Sequence, residues 1–156
     1  MTNDRQNIRR CLKNYPENTD KILLKDYLFN ILSNHTQSTS MLRKQEDERI
    51  FNNKMKIIRD ILNKKMSKKK VNRIAKEDLI VFHNFNENSS DKNMIHAHSI
   101  LEIPRKFLSK ILDMIVMLSQ IVAKMSFEIS VKFRPNVAIN YMTKSVDENN
   151  DRRTVF

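Results

Sequence analysis

The residues best placed to do chemistry are His96-Ala97-His98, inside the apolar run MIHAHSILEI at 94–103. In an extended strand, residues two apart project to one face. Both imidazoles therefore point the same way, at a spacing that can grip one metal ion, while Ile95, Ala97 and Ser99 fall on the opposite face. Two imidazoles side by side on a half-buried strand carry a desolvation cost unless they are paired or liganded. A pair of surface histidines on an exposed sheet face fits the same pattern. The second feature is Tyr141 with Lys144 in VAINYMTKSV at 137–146. Three apart on a helix, they share a face. A phenol is a weak nucleophile until activated, and a cation one turn away can stabilise a phenolate or a developing phosphate charge. An amphipathic helix with a half-buried Tyr and an exposed Lys is the plainer alternative.

A strand must position the first pair and a helix the second. KDYLFNILS at 25–33 is mostly apolar and aromatic and reads as a buried strand, with NHTQSTS at 34–40 as a loop. Residues 41–66 form a long helix, because Ile50, Phe51, Met55, Ile58, Ile61 and Leu62 recur at three- and four-residue steps. Its acidic residues lie early and its basic residues late, as the helix dipole favours. A short strand is expected over Val71 to Ala75. DLIVFHNF at 78–85 and the histidine-bearing run at 94–103 form a hairpin around the Asn- and Ser-rich loop 86–93. Pro104 suits the first position of a helix, and an apolar face continues from Phe107 to Met125. FEISVKF at 127–133 alternates without a break, with Phe127, Ile129, Val131 and Phe133 on one side. Asn136 is a good cap for the Tyr141 helix. Strands and helices in this order predict an α+β fold, one antiparallel sheet with helices packed on it. Residues 1–24 read as a polar N-terminal arm, 25–147 as the domain and 148–156 as a polar tail.

Composition narrows the chemistry. The chain has 156 residues, no glycine and a formal charge of +11. Without glycine there is neither a Walker A loop nor a dinucleotide fingerprint, since both need backbone that approaches phosphate closely. The lone Cys11 excludes a disulfide framework and a cysteine-rich zinc site. No apolar run reaches the roughly 18 residues of a spanning helix, and residues 1–14 lack the apolar core of a secretion signal. An intracellular, cytoplasmic protein is expected. A domain this basic attracts polyanions, above all phosphate backbones. Lys64, Lys65, Lys68, Lys69, Lys70 and Arg73 are the densest group; Lys68, Lys69, Lys70 and Arg73 are the expected DNA contacts, although a solvated loop after a helix reads the same.

Together, MIHAHSILEIP at 94–104 and AINYMTK at 138–144 resemble the HUH endonuclease superfamily, in particular rolling-circle replication initiators. That family carries His-hydrophobic-His on a central strand and a Tyr, often followed by Lys, on a later helix. LFNILSNHT at 28–36 stands where its first motif would be. The resemblance implies a ferredoxin- or RRM-like sheet and a metal site in which His96 and His98 hold Mn²⁺ or Mg²⁺, with histidine ligands leaning toward Mn²⁺. It implies that Tyr141, assisted by Lys144, attacks a phosphate of single-stranded or hairpin DNA and leaves a 5′-phosphotyrosine. A separate helicase and a host polymerase would be its partners. Relatives often supply a third ligand from the strand before the histidine pair. His83 is the first choice and Glu87, read in the loop, the second. Glu102 shares the histidine face and is a candidate for orienting an imidazole. His35 lies beside the first motif and touches DNA or nothing at all. A single-tyrosine transposase of the same superfamily, or a non-catalytic nucleic-acid-binding protein, are the other expectations.

Overall fold

Apolar–polar alternation sets which face of each strand is buried, and the long amphipathic runs between strands become the helices that cover it. The computed structural model describes residues 3–14, 20–36, 41–88, 94–135, 138–143 and 153–156. In chain order these form α1 (Asn3–Lys13), β1 (Lys21–Leu23), β2 (Tyr27–Thr36), α2 (Met41–Ser67), β3 (Val81–Asn88), β4 (Met94–Pro104), α3 (Ile111–Lys124), β5 (Phe127–Phe133), α4 (Ala138–Met142) and β6 (Arg153–Val155). The strands make one sheet in the order β5-β2-β4-β3-β6, with β1 pairing the far end of β4. All of these pairs are antiparallel. The strands β2 and β3 therefore run parallel on either side of β4, joined through α2. In the same way β4 and β5 flank β2 and are joined through α3. Two interleaved split βαβ units of this kind define the ferredoxin-like arrangement, and they place β4 at the centre of the sheet.

The two sheet faces have different roles. On one, Phe29, Ile31, Phe82, Ala97, Leu101 and Ile103 meet Met55, Ile58 and Leu62 of α2 and Met114, Leu118 and Val122 of α3. Burial of each such large side chain is worth about 1.5–3 kcal/mol, so this layer supplies most of the cohesion. The other face carries a smaller cluster, in which Ile8 and Leu12 of α1 and Ala138 and Ile139 of α4 pack on Leu28, Phe85 and Ile100. That cluster covers only part of the face.

Several elements differ from the sequence expectation. The N-terminal arm contains an eleven-residue helix, α1, because Ile8 and Leu12, one turn apart, both find apolar partners on the sheet. Val71 to Ala75 is not a strand. It has no ladder partner, and Arg73 and Ile74 instead donate to the carbonyls of Lys70 and Val71, at 2.9 and 3.1 Å, in a 3₁₀ turn. The helix expected from Pro104 begins as 3₁₀ over Arg105–Lys110 before α3 starts. The tail supplies β6, and Phe82 and Phe156 exchange backbone hydrogen bonds of 2.9 Å. Strand β3 runs on to Asn88 through residues whose composition reads as loop. Its inward amides are satisfied, with Asn86 Nδ2 donating to Asn52 Oδ1 at 2.8 Å and Ser99 Oγ to Asn84 Oδ1 at 2.7 Å. In a chain without glycine, α2 and α3 are both followed by left-handed non-glycine residues, Lys68 at φ 55° and Ser126 at φ 60°.

Candidate metal centre

Strand β4 projects His96 and His98 onto the sheet face opposite α2 and α3, as the two-residue spacing requires. Their rings lie 4.8 Å apart and stand nearly perpendicular, at 88°. The third member comes from β3, where Glu87 is directly opposite His96 in the antiparallel ladder. Residues opposite each other in a ladder share a face, so the carboxylate is delivered to the imidazoles by backbone pairing alone. Glu87 Oε1 is 2.7 Å from His96 Nε2 and 2.9 Å from His98 Nε2. One potential ligand atom from each of the three residues falls within a sphere where all are within 4.8 Å of one another. The His98 side chain is 4% exposed, Glu87 14% and His96 18%. The site is thus shielded yet open on the His96 side.

A carboxylate held among imidazole nitrogens and largely removed from water attracts a cation. A metal ion shared by the oxygen and the two nitrogens would satisfy all three atoms at once. Two imidazoles and one carboxylate form a donor set that suits a divalent ion of the transition series or zinc. The residues present therefore fit a metal ion.

The structure brings together His96, His98 and Glu87, and it leaves His83 out of this group. His83 shares their face but stands four residues along β3 from Glu87, about 13 Å away at ~3.3 Å per residue. It is buried, and its Nε2 lies 3.2 Å from Glu102 Oε1. Glu102 does orient an imidazole, but that of His83. The third member of the group is Glu87 because β3 extends farther than its Asn-rich composition suggests. His35 lies in β2, and its side chain is outside the described residues.

Beside the histidines an open cleft of about 330 Å³ crosses the sheet, lined by Asn30, Leu32, His96, His98, Glu128, Ile129, Ser130 and Lys132. Ser130 and Lys132 are the polar half of the β5 alternation, and Asn30 is the polar break in the β2 run. Sequence reasoning assigned none of the three a role. Their signal was a polar residue recurring on the same face as the histidines.

Helix α4 packs on this same face, since Ala138 and Ile139 contact the cluster that includes Phe85 and Ile100. Phe85 is paired with His98 across the ladder. Arg9 of α1 clamps α4, donating from Nε to Thr143 Oγ1 at 2.7 Å and from Nη2 to the Asn140 carbonyl at 2.9 Å. Partial burial, with Arg5 nearby, lowers the Arg9 pKa from its ordinary value. The backbone of Tyr141 belongs to α4, but its ring and all of Lys144 lie outside the described residues. Lys68, Lys69, Lys70 and Arg73 follow the C-terminus of α2. The helix meets the Glu87 end of β3 through Asn52. Sixteen residues separate Asn52 from Lys68, about 24 Å of helix. The basic group is therefore remote from the metal centre. No helix among the described residues is long and apolar enough to cross a membrane.

No family model, no curated protein and no solved structure matches the chain.

Proposed function

We propose that this protein is a metal-dependent endonuclease of the HUH type that nicks and rejoins single-stranded DNA, as an initiator of rolling-circle replication does. The observation that carries the reading is the convergence of Glu87 on β3 with His96 and His98 on the central strand β4 of a split βαβ sheet. The helix bearing Tyr141 packs on the same face. Mn²⁺ is the proposed ion, with Mg²⁺ as the alternative, because two of the three ligands are nitrogen. Bound there, the ion would supply Lewis acidity to a phosphate. The open cleft toward β5 would admit the strand, with Lys132 and Ser130 along it.

In the proposed reaction the Tyr141 oxygen attacks phosphorus and a P–O bond forms. The bond to the 3′ oxygen breaks, and that oxygen leaves as a 3′-hydroxyl, taking up a proton in exchange for the one the phenol loses. The 5′ end remains as a phosphotyrosine, and reversal rejoins the strand without a nucleotide cofactor. Lys144 would offset negative charge on the phosphate. The test is a labelled single-stranded hairpin incubated with the protein and Mn²⁺. A covalent protein–DNA adduct is expected in the wild type and absent in Tyr141→Phe or with chelator. Binding without an adduct under any divalent metal would replace this reading with a non-catalytic nucleic-acid-binding protein.

A further inference from the structure

The ladder row that contains His98 crosses four strands: Phe85 on β3, His98 on β4, Asn30 on β2 and Ser130 on β5. Within it, His98 Nδ1 contacts Asn30 Oδ1. The same amide presents Nδ2 to Ser130 Oγ at 3.4 Å. An amide oxygen only accepts, so Nδ1 carries a hydrogen. Nε2 is the nitrogen 2.9 Å from Glu87 Oε1, on the side where His96 also converges; when an ion takes that nitrogen, the single N–H of the neutral imidazole is the one on Nδ1. With the amide reversed, Nδ2 would donate to Nδ1, the hydrogen would move to Nε2, and the ligand atom would be blocked.

We infer that Asn30 is a positioning residue that holds His98 as its Nδ1–H tautomer with Nε2 directed at the metal centre, and that Ser130 steadies the amide. This rests on the metal-binding reading of Glu87, His96 and His98, and not on the nuclease reading. The two imidazoles are unequal in this respect. His96 Nδ1 is buried and has no hydrogen-bond partner among the described residues, so its orientation depends on Glu87. His98 is the more buried ring, gripped from both sides. Nothing in the apolar run around Asn30 requires an amide for packing, whereas orienting the ring of a ligating histidine does require an acceptor beside it.

The experiment pairs two readouts on protein labelled with ¹⁵N at histidine. Long-range ¹H–¹⁵N spectra of the metal-free protein report the tautomer of each ring, and calorimetry reports Mn²⁺ affinity. In the wild type the His98 ring is expected to carry a hydrogen on Nδ1. Asn30→Leu should remove hydrogen from Nδ1 and weaken Mn²⁺ binding by roughly 10–100-fold. Asn30→Asp restores an acceptor and should recover both. Should Asn30→Leu fail to fold, the wild-type spectrum still decides, since a bare Nδ1 at His98 overturns the inference. Unchanged tautomer and affinity in a folded Asn30→Leu overturn it as well. A wild type that shows Nδ1–H but binds no Mn²⁺ would instead refute the metal reading while leaving the amide's hold on the ring in place.

Discussion

His83 and Glu87 have similar claims by residue type, because both are metal-ligating side chains on the strand before the histidine pair. Ladder position separates them. Glu87 is opposite His96, and His83 is opposite Ile100. The prediction at this scale is a contrast. Glu87→Gln should lower Mn²⁺ affinity by more than the roughly 10–100-fold typical of losing an outer partner, since it removes a charged ligand atom. His83→Gln retains a donor for Glu102 and should leave affinity within about twofold, a margin well under that same outer-partner range. Calorimetry on the two variants checks this, and equal losses would mean that His83 belongs to the metal centre after all. The residue scale also shows why Glu87 was hard to rank from sequence. The stretch NENSSDKN has the composition of a turn, and its first residues enter a strand only because Asn52 and Glu48 of α2 accept the Asn86 amide hydrogens. Those partners are more than thirty positions away in the chain.

Elements whose periodicity is strong and local were legible in advance. In β5 the alternation holds less far, with Phe127 buried, Ile129 and Val131 half-buried and Phe133 60% exposed, whereas the seam of α2 (Phe51, Met55, Ile58 and Leu62) is buried as its spacing requires. So is the split of β4 into a histidine face and an Ala97–Leu101 face. Elements held by distant partners were not legible. Helix α1 is polar on most positions and folds against the sheet through Ile8 and Leu12. Strand β6 is three residues long and exists because β3 offers an open edge. The apolar run from Phe107 to Met125 overstated its buried face, with Leu108 and Leu112 exposed at 39% and 79%. The expected start of the α-helix at Pro104 was wrong, since the chain is 3₁₀ from Arg105 to Lys110. The role of α1 gives a prediction at this scale. Arg9 donates to Thr143 Oγ1 and to the carbonyl of Asn140, one of the last carbonyls that a helix leaves without a backbone partner. Arg9→Met keeps much of the length and removes the donors. Under the proposed reaction it should slow adduct formation severalfold or more while leaving Mn²⁺ affinity unchanged, because α4 carries Tyr141 but none of the metal ligands. A rate loss that tracks a loss of metal binding would mean that α1 merely supports the sheet.

Across the whole molecule, the metal centre and the Lys68–Arg73 group occupy opposite ends of the sheet and opposite layers. These four cations therefore lie apart from the Glu87, His96 and His98 group. Under the proposed function, phosphates that meet the cluster after α2 would belong to a different part of the nucleic acid from the one that enters the cleft beside His96. The two regions should then separate experimentally. Neutralising Lys68, Lys69, Lys70 and Arg73 to Gln should reduce the dependence of log K on log salt by about 0.7 for each single-strand phosphate that the protein no longer neutralises. It should leave Mn²⁺ affinity where it was, since the cluster is about 24 Å away along α2, beyond the ~8–10 Å Debye length of physiological salt. Binding isotherms on one labelled oligonucleotide across a salt series measure the slope directly. If the slope of the neutralised protein matches that of the wild type, the cluster does not face the nucleic acid, and Lys132 and the cleft must carry the electrostatic attraction. Weakened Mn²⁺ binding in the same variant would contradict the separation itself, because screening over that distance leaves no direct route for surface charge to reach the ion.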